Sequence, residues 1–444
     1  MAQNQGSVTG GCDGVTMAIF DRQLEQQLER LREDLRHGRF EPYPVRRVYI
    51  QKTTGKLRPL GILTIRDRIV QETVRMVLEP IFEADFSPNS YGFRPNRRTM
   101  DAIKAITLYT TNATKYFWAI EGDIASCFDS IHHKKLLKLV QRRVKDQRLL
   151  ALIQKFLRAG VMEGKLFKDT RYGVPQGGIL SPLLSNIYLH ELDRYMERYT
   201  GLSPWQKRKR RQQGKGNFTL SRYADDFVIL TNGAKADAEA MRQEVADFLR
   251  DELKLTLSLE KTKVTHLNDG FAFLGFWLQR KVGHRGNRVT KVLIPPEAIR
   301  RFRGKILEST RGKTNDSVYT KILALDRIVG GWCRYYQYTT RASTVFNTLG
   351  HVVFKRMTLW LCAKYAISAP EAMRRFRHGN TLGTKRRTLR LPSDYRTQVY
   401  REPIRKPNPY TGRGPVGLRR ETLFNVESMW TGFEAIKGQA DRRD

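Results

Sequence analysis

Two adjacent carboxylates, Asp225 and Asp226, interrupt the apolar run "SRYADDFVIL" at 221–230. Unpaired charge is costly to bury, so such a pair is solvated in a turn, neutralised by cations, or both. The flanking runs "FTLSRYA" and "FVILTN" have strand character, and the simplest geometry is a hairpin with both acids at its tip. Taken alone, that is only a turn. A second hydrophobic run, "YFWAIEGDI", ends near Asp123, and a strand end beside a hairpin tip can bring three carboxylates together. Carboxylates without neighbouring His or Cys make a hard oxygen site suited to Mg²⁺. Two such ions bridged by shared Asp residues clamp an in-line phosphoryl transfer, one activating a 3′-hydroxyl and the other holding a triphosphate and its leaving oxygen.

The elements that must position these acids are legible in outline. Leu24, Leu28, Leu31 and Leu35 in "RQLEQQLERLREDLRH" predict an amphipathic helix over 22–37, stopped by Gly38. "VRRVYIQKTTGKLRPLGI" alternates apolar and basic residues around a "TTGK" turn and predicts a hairpin with cationic arms. A helix follows over 65–86, ended by the turn-rich "SPNSYGFRPNRR". The strand ending near Asp123 leads to a turn and a basic helix, "HHKKLLKLVQRRV"; a Gly/Pro/Gln-rich turn then opens a helix at "SPLLSNIYLHELDRYM". The run "WQKRKRRQQGKGNF" at 205–218 has no apolar periodicity and reads as an exposed loop. From about 290 the pattern turns helical, and beyond about 385 it is rich in Arg, Pro and Gly.

Composition bounds the partners. The 444 residues carry 80 Lys+Arg against 44 Asp+Glu, a formal net charge of +36, while 40% of residues remain hydrophobic. That describes a folded chain whose surface attracts a polyanion, with nucleic acid ahead of a membrane surface. No apolar stretch is long enough to span a bilayer, and "MAQNQGSVTGG" has no secretory character. Cys12, Cys127, Cys333 and Cys362 lie far apart, which argues against a disulfide framework or a zinc finger. The expectation is a soluble cytoplasmic protein, nucleoid-associated when bound to DNA, with no membrane partner.

Taken in order, "RPLGI", "SYGFRPNR", "DIASCFDSI", "VPQGGILSPLLSNIYLHELD", "YADD", "EKTKV", "FAFLGF" and "VGGWCRYYQY" resemble the group II intron-encoded reverse transcriptases, or intron maturases, over roughly residues 45–365. Any one string is weak; the ordered set is specific. The resemblance implies an α+β right-hand polymerase, its fingers and palm built on an antiparallel sheet, followed by an α-helical thumb or maturase (X) domain. It implies RNA-directed DNA synthesis from dNTPs with two Mg²⁺ ions, on an RNA template with a DNA primer or target DNA, and binding of group II intron RNA to assist splicing and retrohoming. The division expected is an extension and fingers helix at 1–40, fingers and palm at 41–290, thumb at 291–385 and a basic C-terminal region at 386–444, a possible DNA-binding remnant.

Carried over residue by residue, the resemblance makes Asp123, Asp225 and Asp226 the catalytic acids, with Asp123, Asp225 and the Ile124 carbonyl as metal ligands. Phe128 stands where an aromatic ring under the sugar excludes a ribose 2′-hydroxyl, with core packing as the alternative. Lys52 and Arg58 flank the "TTGK" turn as triphosphate contacts, Lys56 competing for the role. Gln176, Gly177 and Gly178 form a turn that lets backbone approach template and nucleotide. Lys261 or Lys263 would protonate the departing pyrophosphate. Arg94, Arg97 and Gly275 join the template and primer contacts. The run Lys207, Arg208, Lys209, Arg210 and Arg211, with the thumb arginines, is expected on structured RNA, held by shape and backbone. Trp332 reads as core in preference to an RNA-stacking ring.

Two departures accompany the resemblance. "NQGSVTGGCDGVT" stands almost at the N-terminus without the helix that usually precedes it, and the chain stops at "GQADRRD" without the ligands of the HNH endonuclease that many relatives carry. Two other readings remain open: a splicing cofactor acting chiefly by binding, and a free-standing reverse transcriptase used in repair or phage defence.

Overall fold

The computed structural model describes residues 9–51, 55, 57–164, 166–168, 172–258, 262–283, 286–312, 314–403 and 406–410. Described residues up to 102, from 120 to 264 and from 406 to 410 form one compact unit, and those from 103 to 119 and 265 to 403 a second. This differs from the linear division at 290 and 386, because membership of a core is decided by contact and not by a change of composition along the chain.

The first unit opens with α1 (Met17–Asp21) and α2 (Leu24–Arg36), within the predicted helix. The cationic hairpin is formed by β1 (Val45–Gln51) and β2 (Leu57–Ile62), antiparallel, with Ile50 opposite Arg58. Helix α3 (Ile65–Glu83) starts at a Thr64 N-cap, whose side chain accepts the Asp67 N–H, and buries the stripe Val70, Val74, Val77, Leu78 and Ile81. Helix α4 (Thr99–Tyr109) starts in this unit and runs into the segment 103–119 of the second; the chain returns to the first within β3 (Trp118–Asp123) and continues through the short α5 (Cys127–Ser130), α6 (His133–Gln141) and α7 (Gln147–Arg158). Strands β4 (Val161–Glu163) and β5 (Leu166–Lys168) join the hairpin in a sheet ordered β2-β1-β4-β5. The β1–β4 pairing is parallel, against the antiparallel expectation. These two strands are far apart in the chain and are brought together over helices, so no tight hairpin dictates their direction.

The buried α8 (Ser181–Thr200) is followed by α9 (Pro204–Gln212), where a loop was expected. A capping box between Ser203 and Gln206 and a proline in the first turn start this helix without apolar periodicity. Strands β6 (Phe218–Tyr223) and β7 (Asp226–Thr231), then α10 (Lys235–Asp251) and β8 (Lys263–His266), complete a sheet ordered β6-β7-β3-β8.

The second unit contains the antiparallel strands β9 (Phe271–Phe273), β10 (Phe276–Val282) and β11 (Arg288–Leu293), so "FAFLGF" is a hairpin. Helices α11 (Pro296–Thr310), α12 (Val318–Tyr336), α13 (Ala342–Tyr365) and α14 (Ala369–Phe376) follow, with the short strands β12 (Arg377–His378), β13 (Thr381–Thr384) and β14 (Arg387–Thr388). Trp332 packs in the helical core as expected, its ring centroid 4.8 Å from both Phe302 and Tyr336. Residues 387–403 belong to this unit too: the Arg387 guanidinium donates to Asp326 at 2.8 and 3.1 Å, and the Arg390 N–H to the same carboxylate at 3.0 Å. Among the described residues no helix is long and apolar enough to cross a membrane.

Candidate active site

The sheet places the acids. Strands β6 and β7 pair from Phe218–Thr231 to Tyr223–Asp226, which leaves Ala224 and Asp225 as a two-residue turn, with Ala224 at φ +58°. Asp225 is half-buried in the turn, and Asp226, the first residue of β7, is exposed. Side chains alternate along a strand, so Asp226 leaves β7 on the face opposite Phe227. The Phe227 ring fills the space that a side chain at Gly122 would take, which sets the end of β3, and Asp123, beside the hairpin tip. Burial pushes the Cys127 thiol up to about 12, and the nearby Asp225 charge adds to that.

Ile124 bridges Leu257 as a non-hydrogen-bonded antiparallel pair: the Ala125 N–H donates to the Thr256 carbonyl at 2.9 Å and the Ser258 N–H to the Asp123 carbonyl at 2.8 Å. In such a pair the residue's own carbonyl turns away from its partner, so that of Ile124 points to the side of β3 on which β7 lies. Among the described residues no group of three or more His, Cys, Asp or Glu side chains is arranged to hold a metal ion. The groups expected to ligate a hard cation, Asp123, Asp225 and the Ile124 carbonyl, are all oxygen donors.

A buried network behind the turn was not anticipated from the sequence. Arg222 and Asp193 have fully buried side chains, paired through Nε–Oδ1 at 2.7 Å and Nη2–Oδ2 at 2.5 Å. The same guanidinium donates to Asn186 Oδ1 at 3.1 Å, Ser90 Oγ at 2.8 Å and the Ala224 carbonyl at 3.0 Å. Burial works to raise the Asp193 carboxyl, but the charge and hydrogen bonds of Arg222, with a smaller contribution from His190, outweigh it and the net effect is a lowered pKa. The "SYGF" segment runs alongside: the Tyr91 N–H donates to the Arg222 carbonyl at 2.8 Å, and the Arg222 N–H to that of Asn89 at 2.9 Å. A Cβ at Gly92 would overlap the backbone nitrogen of Ala224, so only glycine lets this segment lie against the acid turn. The signal in the sequence was the lone charge Arg222 inside the otherwise uncharged β6; Asp193 stands among the other charges of α8 (Glu191, Arg194, Glu197 and Arg198) and gave none.

The remaining candidates divide. Phe128 is half-buried on α5, outside the hydrophobic core. Its neighbour Asp129 accepts from the Gln176 amide at 3.0 Å; partial burial raises the Asp129 carboxyl, and Arg47 and Gln176 pull it back. The Gln176 carbonyl accepts the Gly61 N–H at 2.5 Å, and Gly177, at φ +110°, would place a Cβ 2.5 Å from the Gly61 carbonyl oxygen, so "VPQGG" and "RPLGI" meet backbone to backbone. Gly178 is buried in the same turn, its N–H donating to the Pro175 carbonyl at 3.0 Å. A cavity of about 270 Å³ opens here, bordered by Arg47, Pro59, Gly61, Asp129, Tyr172 and Gln176. Arg58 is exposed on β2, and Lys263 is exposed at the start of β8. Lys52, Lys56 and Lys261 lie outside the described residues.

Arg94 and Arg97, expected at template phosphates, are instead spent inside the protein. The Arg94 side chain is 2% exposed, forks onto Glu83 at 2.7 to 3.2 Å and donates to the Ser87 and Ser90 carbonyls. A phosphate would have to displace a buried carboxylate to reach it. Arg97, 6% exposed along its side chain, donates to the Pro88 carbonyl at 3.2 Å and lies over the Tyr91 ring. In the second unit Gly275 takes φ +74° beside Tyr335 and Tyr336, whose hydroxyls donate to the carbonyls of Leu274 at 2.6 Å and Gly275 at 3.1 Å.

An acid turn on a palm-type sheet, a glycine-bearing segment packed beside it and a cationic hairpin define a template-directed polymerase. Residues 50–278 match the family reverse transcriptase (RNA-dependent DNA polymerase), and residues 299–378 match the group II intron, maturase-specific domain. The chain therefore belongs to the reverse transcriptase family, in its group II intron-encoded branch. It is 44% identical over 317 residues to Protein YkfC of Escherichia coli (strain K12), an alignment covering 67% of this chain and 83% of that protein. It is 34% identical over 379 residues to Group II intron-encoded protein LtrA of Lactococcus lactis subsp. cremoris, covering 74% of this chain and 61% of LtrA. Enzymes of this family use divalent metal ions, and the two matched domains imply binding of RNA and DNA.

Proposed function

We propose that this protein extends a DNA primer on an RNA template with Mg²⁺ and dNTPs, and that it holds group II intron RNA to assist splicing and retrohoming. What supports the reading is the seating of Asp225 in the β6–β7 turn beside the end of β3, where Asp123 ends the strand; with the Ile124 carbonyl, turned toward β7, these would make the oxygen donor set. Two carboxylates and a carbonyl suit Mg²⁺, which keeps much of its coordination for water and substrate phosphates. Bound there, a pair of Mg²⁺ ions supplies activation of the primer 3′-hydroxyl and charge neutralisation at the triphosphate.

The chain's own groups do the rest. Asp123 and Asp225 hold their charge at the point of transfer, while Asp226 contributes field from the adjacent position. Phe128 presents its ring edge to the sugar and excludes a 2′-hydroxyl by contact. Arg58 delivers positive charge to the triphosphate from β2, with Lys52 in the same hairpin. Gln176, Gly177 and Gly178 bring backbone close to the incoming nucleotide, and Lys261 or Lys263 gives a proton to the departing pyrophosphate. We place the protein in the cytoplasm, associated with the nucleoid when bound to target DNA.

The test is primer extension on an RNA template with Asp225→Asn, which removes one charge from the donor set while keeping its size. Loss of Mg²⁺-dependent extension, with thermal unfolding unchanged, is expected. Extension at the wild-type rate would remove Asp225 from the chemistry.

A further inference from the structure

Helix α9 is the least explained element of the first unit. Its nine residues hold five cations and no acid, and none is buried. A helix that polar has little reason to form alone. Its first turn is held by the Ser203–Gln206 capping box, and its body by tethers to neighbouring backbone. Lys207 Nζ donates to the Thr200 carbonyl at 3.3 Å, Arg210 to the Gly216 carbonyl at 2.8 and 3.3 Å, and the Asn217 amide to the Lys207 carbonyl at 3.0 Å. The Arg210 guanidinium also lies over the Tyr199 ring. Two of the five cations are thus used to fasten the helix to the end of α8 and the start of β6.

The other three, Arg208, Lys209 and Arg211, are exposed, and with them stands Trp205, 67% exposed. Trp205 and Lys209 are four residues apart, on one face of the helix, and the Lys209 ammonium sits 5.3 Å from the indole centroid. An indole held open to solvent on an anchored helix, surrounded by cations with no acid among them, offers a flat π-face for a base and charge for the phosphates beside it. We propose that α9 is a stacking platform for an unpaired nucleotide of a structured RNA, with Trp205 carrying the base and Arg208, Lys209 and Arg211 the adjacent phosphates. The proposal rests on the reading of this chain as an RNA-binding maturase and narrows the five-residue basic run to three cations and a ring.

The two contributions separate in a salt titration. Stacking involves no counterion release, so Trp205→Ala should weaken binding about tenfold at every salt concentration without altering the slope of log affinity against log salt. Replacing Arg208, Lys209 and Arg211 together by Ala should lower that slope by roughly two, at about 0.7 per phosphate contact on single-stranded segments. The measurement is fluorescence anisotropy with three probes: a group II intron RNA domain retaining its unpaired loops, a fully paired RNA duplex, and single-stranded DNA of the loop sequence. The Trp205→Ala deficit should appear on the first and vanish on the duplex, Trp205→Phe should recover part of it, and thermal unfolding should be unchanged. An equal deficit on the duplex, or no deficit on the looped RNA, overturns the platform, and the latter would leave Trp205 to a protein partner. A deficit larger on the DNA than on the RNA overturns the assignment to RNA. Wild-type protein that fails to bind the intron RNA above its affinity for the duplex would instead overturn the maturase reading itself.

Discussion

The Arg222–Asp193 pair makes a prediction that separates stability from activity. Asp193→Leu leaves a fully buried guanidinium with its Asn186, Ser90 and Ala224 partners but no counter-charge. Removing one partner of a buried ion pair costs about 3–5 kcal/mol. For a fold whose total stability is about 5–15 kcal/mol, that is a large fraction. At roughly 2–4 °C per kcal/mol for a domain of this class, melting should fall by roughly 6–20 °C. Replacing both charges, Arg222→Met with Asp193→Leu, removes the uncompensated charge and should restore most of the loss. It should not restore catalysis. The Ala224 carbonyl would still lack the donor that holds the acid turn, and a displacement near 1 Å at reacting groups costs on the order of a hundredfold in rate. The assay is urea unfolding beside single-nucleotide primer extension for both single variants and the double. A double variant that is stable and fully active would show that the network only fills space, and an Asp193→Leu protein of wild-type stability would refute the electrostatic argument outright.

Phe128→Val should open room for a 2′-hydroxyl and leave the acids in place, raising ribonucleotide over deoxyribonucleotide incorporation by about tenfold or more; an unaltered ratio in single-nucleotide extension would return Phe128 to a packing role. Asp67 titrates in the opposite sense to a paired acid. It is fully buried, and burial pushes its carboxyl from 3.8 to about 6 against the Thr64 and Tyr43 hydrogen bonds and the Arg66 charge. The folded state therefore holds this proton over a window in which the unfolded chain has released it, so stability falls as pH rises from about 4 to about 6, by about 3 kcal/mol, and is flat above. Asp67→Asn should remove that slope and be the more stable protein at pH 7, as read by urea unfolding of both proteins across that range; parallel curves would contradict it.

Period and punctuation carried most of the local structure. The Leu24–Leu35 spacing, the runs on either side of "TTGK" and the alternating runs around Asp225 each have a single low-energy local answer, and those helix and strand elements form where the pattern put them. The hairpin was legible for the same reason, though its turn is Ala224–Asp225 and Asp226 already opens β7 instead of sharing the tip. What the pattern lacked was partners. Arg94 in "SYGFRPNR" looks the same on paper whether its guanidinium meets a phosphate or Glu83, and only the fold, by closing α3 against that segment, decided for Glu83. Helix α9 was missed because its stability comes from a capping box and from backbone oxygens of other elements, not from an apolar stripe. The parallel β1–β4 pairing and the inclusion of residues 387–403 in the second unit depend on contacts between segments far apart in the chain, which local propensity does not encode. Composition and motif order settled the family; the tertiary structure alone decided which charges are spent inside the protein and which are left facing outward, because that depends on what each guanidinium finds within reach once the chain has closed.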